Sequence, residues 1–323
     1  MLPLGVLGNV AFTWLATDRA LLASIGDLPR AYLFAALALT LTPWITGTLR
    51  LLVWSRFLGH RIALLELVRM TLVVDLGSAV SPTAIGGEAF RWGMLVRHGV
   101  KPGEAATLAL MPKLEDATFF ALALPVAIVW TSAWRLPVVA ASTRLLSDNV
   151  LTVLGIAALT GVSAWLIARA ALYGYAGRRV RHTGLRWWGR TRHRLRRTLR
   201  DARTAFALIA ARGKARFALT LGLTAGHWIA RYSVISALAL FLGIPFDPVL
   251  FWLLQWVVFT MMSFVPTPGA TGGAEVAFTA VYATLLPAGF VALATAAWRM
   301  FTFYVPVGLG AVLFAATSSV AKR

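Results

Sequence analysis

Apolar residues fill long stretches of this chain, and short polar or basic segments separate them. Several stretches exceed the roughly 20 residues that a helix needs to cross the hydrocarbon core of a bilayer. They are residues 31–54, 107–130, 150–173, 217–242 and 290–315. Two further apolar regions, 62–98 and 249–286, are each interrupted near the middle by proline and glycine. This pattern predicts an all-α, polytopic integral membrane protein.

The two interruptions share one motif. The first reads SPTAIGGE at residues 81–88 and the second reads TPGATGGAE at residues 267–275. Proline and glycine break helices, and broken backbone at membrane depth is tolerated only where it is buried in protein or lines a cavity. We therefore predict a re-entrant helical hairpin at each place, although a simple helix kink also explains either break taken alone. The predicted tip residues are Pro82, Gly86, Gly87, Pro266, Pro268, Gly269, Gly272 and Gly273.

Basic residues are concentrated in one segment, where 14 of the 31 lysines and arginines lie between Arg178 and Arg216. Positive charge beside membrane spans marks the cytoplasmic side, so residues 178–216 are predicted to be cytoplasmic. Starting from this segment, we assign each apolar stretch a direction across the membrane. Hairpin 62–98 is then predicted to open to the cytoplasm and hairpin 249–286 to the outside. The C-terminus then also lies in the cytoplasm.

This topology predicts one transmembrane domain, residues 1–323, built from two halves of inverted topology. The halves are residues 1–175 and 215–323, and the basic segment 176–214 lies between them at the inner membrane surface. Matched breaks in inverted halves are typical of transporters whose site lies where the halves meet.

Composition narrows the function classes. With 59% hydrophobic and 13% charged residues, the chain has no polar block long enough for a separate soluble catalytic domain. The net charge of +19 does not indicate nucleic-acid binding, because no binding motif accompanies it. The chain has no cysteines, no His-Glu-x-x-His motif and no phosphate-cradling loop, so we expect no metal and no cofactor. Residues 1–16 are apolar without a basic start, which favours a short first span over a signal peptide.

Ionisable residues inside the apolar stretches form the candidate site. Each costs about 2.5 to 3.5 kcal/mol to insert at the bilayer centre, so each needs a partner or a water-filled cavity. Cations that face such a cavity suit a phosphate, and the acids would either hold the cations in place or carry protons for coupling. Alternatively, these residues are ion pairs between helices, and Asp75 with His227 offers an acid–base pair for an enzyme. The predicted headgroup-binding residues are Arg91, Lys113, Arg231, Arg299, Glu88, Asp116 and Glu275.

The basic segment has the pattern of an amphipathic helix. Apolar residues recur at nearly helical spacing through residues 185–209, and arginines lie mostly off that stripe. Such a helix lies on a membrane surface with its cations drawn to anionic lipid. The alternatives are charge that only sets the topology, and a docking site for a cytoplasmic lipid-modifying enzyme. The predicted lipid contacts are Arg186, Trp187, Trp188, Arg190, Arg194 and Arg197.

The motifs resemble those of the lysylphosphatidylglycerol synthase transmembrane, or flippase-like, family. Pro266-Thr267-Pro268-Gly269 with Gly272 and Glu275 resembles its Pro-Thr-Pro-Gly-Gly-x-Gly-x-x-Glu hallmark. Gly86-Gly87-Glu88 followed by Arg91 resembles the family's Gly-(Gly)-Asp/Glu-x-x-Arg element. Asp116 and Arg299 fall where the family usually has an Asp and an Arg in spans. This chain departs from the family at Ala270, where glycine is usual, and at Pro112-Lys113, where Glu-Arg is common. The resemblance is to the membrane part of larger relatives that also carry an aminoacyl-transferase domain.

The resemblance implies a lipid translocase in a bacterial or archaeal plasma membrane. Its cargo would be a lipid with an anionic or zwitterionic headgroup, such as a phospholipid, an aminoacyl-phospholipid or a polyprenyl-phosphate-linked lipid. Membrane lipids, mainly anionic, are then the expected partners, and the oligomeric state is open. Several relatives are labelled glycosyltransferases, so an enzyme acting on a lipid-linked substrate is the alternative.

Overall fold

The structure is a computed structural model that describes residues 29–81, 86–135, 185–265 and 267–320. Within these ranges every regular element is helical, which confirms the predicted all-α class. Short 3₁₀ turns occupy Ala133–Arg135, Pro268–Ala270 and Ala288–Phe290. The α-helices, numbered in chain order, are α1 (Ala31–Phe57), α2 (Leu64–Val80), α3 (Gly86–Arg97), α4 (Pro102–Thr131), α5 (Leu185–Arg212), α6 (Lys214–Phe241), α7 (Pro248–Ser263), α8 (Gly273–Tyr282), α9 (Val291–Arg299) and α10 (Val305–Val320).

Within the described residues, three helical segments are long and apolar enough to cross a membrane. They are α1, α4 and the segment Val291–Thr317, which contains α9 and most of α10. Each coincides with an apolar stretch predicted from the sequence, so the membrane class is confirmed at the level of helix length and composition. The predicted spans at residues 1–16 and 150–173 lie outside the described residues.

Helix α6 is the central helix of the described fold. It packs along much of its length against α1 and also contacts α4, α7 and α9. Lipid chains are as apolar as a protein core, so close packing by small residues, rather than escape from water, holds such helices together. Among the small residues of α6, Ala237 and Ala239 are buried in the core cluster. This packing brings polar side chains of α6 next to those of α1 and α4.

Helices α2 and α3 form a tight pair on either side of the first break. A Cβ atom on Gly87 would overlap the carbonyl oxygen of Val74, and one on Gly77 would lie 2.8 Å from a ring carbon of Phe90. The two backbones are therefore closer than any other residue would permit at these positions. Pro82, at the predicted tip, lies outside the described residues.

Helices α7 and α8 pack against each other on either side of the second break. Asp247 caps α7, because its Oδ1 accepts hydrogen bonds from the backbone N–H groups of Val249 and Leu250 at 2.8 and 3.0 Å. Pro266 lies outside the described residues. Both breaks fall where the sequence predicts them, whereas the re-entrant course of the pairs and the inverted topology stay predictions.

A π-helical segment, Met300–Tyr304, joins α9 to α10. The sequence predicts a continuous helix here, and the structure shows one wide turn inside it. A π turn inserts one extra residue into a helix and is frequent at functional sites. In this chain it directly follows Arg299, a predicted site residue.

Helix α5 confirms that the basic segment is helical, but part of its apolar stripe packs on the protein. Ala205 and Ile209 are buried, and Gly103 at the start of α4 lies against the backbone of Thr198 and Ala202. Arg197 is exposed. The other predicted lipid contacts, Arg186, Trp187, Trp188, Arg190 and Arg194, have side chains outside the described part of the structure.

Candidate functional site

A buried charge cluster joins α1, α4 and α6. Arg50 is 3% exposed and Glu115 is fully buried. The Arg50 Nε donates to Glu115 Oε2 at 2.6 Å, and its Nη2 donates to Asp116 Oδ1 at 3.0 Å. Trp54 and Trp228 add indole N–H donors to Glu115 at 2.5 Å and to Asp116 at 2.9 Å. Every charge in this cluster has a partner, so it holds three helices together.

A second charge cluster lies between α3 and α4. Arg91 Nη1 donates to Glu88 Oε2 at 3.0 Å, one turn earlier on α3, and Lys113 Nζ is 3.7 Å from Glu88 Oε1. The ion pairing that the sequence leaves open as an alternative is therefore present here. It is incomplete, because the buried Nε of Arg91 has no hydrogen-bond partner among the described residues.

His227 lies where these clusters approach each other. Its Nδ1 is 3.2 Å from the hydroxyl of Thr46 on α1. Four cations are within electrostatic range of its ring: Arg231, Arg50, Lys113 and Arg91. The fold thus brings three predicted anion contacts, Arg91, Lys113 and Arg231, towards one region beside α6.

Arg299 holds the second break in shape. It is 1% exposed, its Nε donates to Glu275 Oε1 at 3.1 Å, and its Nη2 donates to the carbonyl oxygen of Gly269. Glu275 Oε2 in turn accepts from the backbone N–H of Gly272 at 2.8 Å. The pair predicted from sequence as an alternative to anion binding is therefore formed, and it clamps both ends of the glycine turn.

The backbone of this turn requires glycine. Gly269 and Gly272 have φ values of 61° and 86°, and a Cβ on Gly269 would overlap the ring of Phe303. Ala270, which replaces the usual glycine of the motif, has a φ of 53°. A left-handed conformation costs about 1–2 kcal/mol for a residue with a Cβ, so the turn tolerates strain at this position.

A cavity of about 220 Å³ lies between the second break and α2. Its wall includes residues of α6, α7, the π segment and α10 as well. The charged residues in the wall are Asp75, Arg231 and Arg299. Two predicted anion contacts, Arg231 and Arg299, therefore face one cavity, together with the predicted tip residue Gly269. Glu88, Arg91, Lys113 and Asp116 are not in this wall.

Sequence analysis did not single out Arg50 and Trp54 of the buried charge cluster, or Trp44, which is the partner of Asp75. The indole N–H of Trp44 donates to Asp75 Oδ2 at 2.7 Å. An arginine inside the apolar stretch 31–54 was the available signal for Arg50, since a charge within a membrane span needs a partner. The two tryptophans carried no signal, because tryptophan is common in membrane helices.

The described residues contain no group of three or more His, Asp or Glu side chains able to hold a metal ion, and the chain has no cysteine. The charged groups instead suit a ligand that offers its own charges. Guanidinium groups bind phosphate through paired hydrogen bonds, and a carboxylate binds an ammonium group.

The sequence model of the family described as Lysylphosphatidylglycerol synthase TM region matches residues 2–310. The chain belongs to this family. A relative from Archaeoglobus fulgidus, described as a UPF0104 membrane protein, is 24% identical over an alignment of 321 residues. The alignment covers 96% of this chain and 94% of the relative. Membership in this membrane protein family confirms the resemblance seen in the motifs and, with the apolar helices, an integral membrane location.

Proposed function

We propose that this member of the lysylphosphatidylglycerol synthase TM-region family moves a lipid with an anionic or zwitterionic headgroup between bilayer leaflets. The cargo class includes phospholipids, aminoacyl-phospholipids and polyprenyl-phosphate-linked lipids. One observation carries the proposal: Arg231 faces a cavity beside a broken helix and has no ion pair among the described residues. An arginine in such a position needs an anion, and a lipid phosphate is the anion that a membrane supplies.

In this proposal the headgroup enters the cavity and the acyl chains stay in the membrane through a lateral opening. Arg231 binds the phosphate. The Arg299–Glu275 pair keeps the glycine turn of the second break in its conformation at the cavity wall. Glu88, Arg91 and Lys113, between α3 and α4, would continue the polar path, and Asp116 would hold Arg50 in place beside it. The hairpin pairs 62–98 and 249–286 would be re-entrant and of opposite orientation, so that each gives access from one leaflet.

The basic helix α5 has a supporting role in the proposal. Its exposed arginines, among them Arg197 and Arg200, would draw anionic lipid to the cytoplasmic surface, where each basic residue contributes about 1 kcal/mol. This raises the local concentration of headgroups near the path. A cytoplasmic lipid-modifying enzyme would be a further partner of the same surface.

The experiment is a lipid-movement assay in liposomes that contain the purified protein. Fluorescent phosphatidylglycerol and phosphatidylethanolamine are placed in one leaflet, and a membrane-impermeant quencher reports their arrival in the other. We expect Arg231→Gln to slow movement about tenfold or more, because a charge-assisted hydrogen bond is worth about 1.5–3 kcal/mol. Arg135→Gln makes the same change at an exposed arginine outside the cavity and should leave the rate unchanged.

Two results would contradict the proposal. The first is movement no faster than in protein-free liposomes. The second is an equal rate for the Arg231→Gln variant and the unaltered protein. Mass spectrometry of the lipids after the assay separates transport from catalysis, because a translocase returns the lipid unchanged and an enzyme on lipid-linked substrates does not.

A further inference from the structure

The cavity wall contains an acid as well as cations, and the two signs lie on different helices. Asp75 comes from α2 and Arg231 from α6. The third charged residue, Arg299, is already bound to Glu275 and to the carbonyl oxygen of Gly269. Asp75 and Arg231 are therefore the charges that the cavity presents to a ligand.

Asp75 and Arg231 do not pair with each other. No ion pair within 4 Å joins them in the described part of the chain, and each has a neutral neighbour instead. The Trp44 indole N–H donates to Asp75 Oδ2 at 2.7 Å, and the Arg231 guanidinium lies 5.3 Å from the centre of the Phe259 ring. Arg91, which is within electrostatic range of Asp75, binds Glu88.

Opposite charges that face one cavity without touching are unusual in a low-dielectric region. At an effective dielectric constant of about 20, two unit charges 4 Å apart attract by about 4 kcal/mol, so side chains free to meet would do so. Here Asp75 on α2 instead accepts a hydrogen bond from Trp44, and Arg231 on α6 lies over the ring of Phe259. A ligand with one charge of each sign satisfies both residues at once, whereas a purely anionic ligand leaves Asp75 facing like charge.

We propose, on the basis of the translocation proposed above, that this site selects a zwitterionic phospholipid headgroup. Arg231 takes the phosphate, and Asp75 takes a primary ammonium group a few bonds away. The space fits this assignment, because about 220 Å³ is below the roughly 300 Å³ at which pockets for drug-sized ligands begin. The cavity therefore takes a headgroup without the acyl chains. Asp75 is the specificity-determining residue in this arrangement.

The test measures binding and movement separately. Purified protein is equilibrated with an equal mixture of phosphatidylethanolamine and phosphatidylglycerol, and the retained lipids are quantified by native mass spectrometry. We expect the unaltered protein to retain phosphatidylethanolamine in preference. Asp75→Asn should lower the ratio of retained phosphatidylethanolamine to phosphatidylglycerol about tenfold, since an ammonium–carboxylate bond contributes about 1.5 kcal/mol or more. Asparagine still accepts from Trp44, so the wall keeps its shape.

Two further variants make the result specific. Asp75→Glu should restore part of the preference, because it restores the charge. Asp201→Asn removes an acid on α5, outside the cavity, and should leave the preference intact. Equal retention of the two lipids by the unaltered protein, or an unchanged preference in Asp75→Asn, would overturn the assignment of Asp75. The liposome assay then decides separately whether lipid is moved, so loss of selectivity and loss of translocation are distinguished.

Discussion

At the scale of single residues, the charges in this protein differ in how completely they are satisfied. Arg50, Glu115 and Asp116 form a closed cluster in which each group has partners at 2.5–3.0 Å. Arg231 and Asp75 have no charged partner within ion-pair distance among the described residues. The first kind of charge stabilises helix contacts, and the second kind is available to a ligand.

Arg50→Ala tests the structural kind. Removing Arg50 leaves Glu115 charged and fully buried, and breaking a buried pair costs about 3–5 kcal/mol. We expect a large fall in the thermal unfolding temperature of the detergent-solubilised protein. Lys101→Ala breaks an exposed pair with Glu104 and should cost no more than about 1 kcal/mol. Equal unfolding temperatures for the two variants would show that the Arg50 cluster does not hold the helices together.

Sequence analysis found most of the charged positions and gave ion pairing among them as one alternative, but spacing alone could not decide between pairing and anion binding. Glu275 and Arg299 are 24 residues apart, and no spacing rule links them, because their contact depends on how the broken segment folds back on α9. Glu88 and Arg91 are three apart on one helix, so their contact follows from helical geometry alone. Arg50 was missed because a single arginine in an apolar stretch has no local pattern that names its partner.

At the scale of elements, glycine determines how closely α2 and α3 approach. Their positions followed from the apolar pattern and from the Pro-Gly break, since both act locally. The contact at Gly77 and Gly87 is tertiary, and the sequence gives no separate sign of it. The π segment was also unpredictable, because residues 300–304 are as apolar as their neighbours and contain no proline or glycine.

Gly87→Ala is expected to force this helix pair apart. The new methyl group would overlap the carbonyl oxygen of Val74, which belongs to backbone and cannot move alone. We expect lower thermal stability and faster amide hydrogen exchange in α2 and α3. Gly93→Ala is the matched control on α3, where the added Cβ meets nothing within 4 Å. It should be neutral or stabilising by about 0.5–1 kcal/mol, because alanine favours a helix over glycine. A similar effect of both changes would argue against the close approach.

At the scale of the whole molecule, the two matched breaks predict access from opposite sides of the membrane. The chain has no native cysteine, so single cysteines introduced at Thr83 and Thr271 are the only thiols present. In inverted halves, a membrane-impermeant thiol reagent should label one of them from outside cells and the other only in inverted vesicles. Labelling of both from the same side would rule out the inverted arrangement while leaving the helix pairs as described.

The π segment Met300–Tyr304 has a consequence for how the cavity can vary among proteins of this kind. One residue corresponds to about 100° of rotation in an α-helix, so the extra residue sets the angular phase of α10 relative to α9. Deleting it would turn Pro306 and Val307 out of the cavity wall while Arg299 stayed in place. The shape of that wall therefore depends on the number of residues between Arg299 and α10, so a one-residue insertion or deletion would reshape it without any substitution in the wall itself.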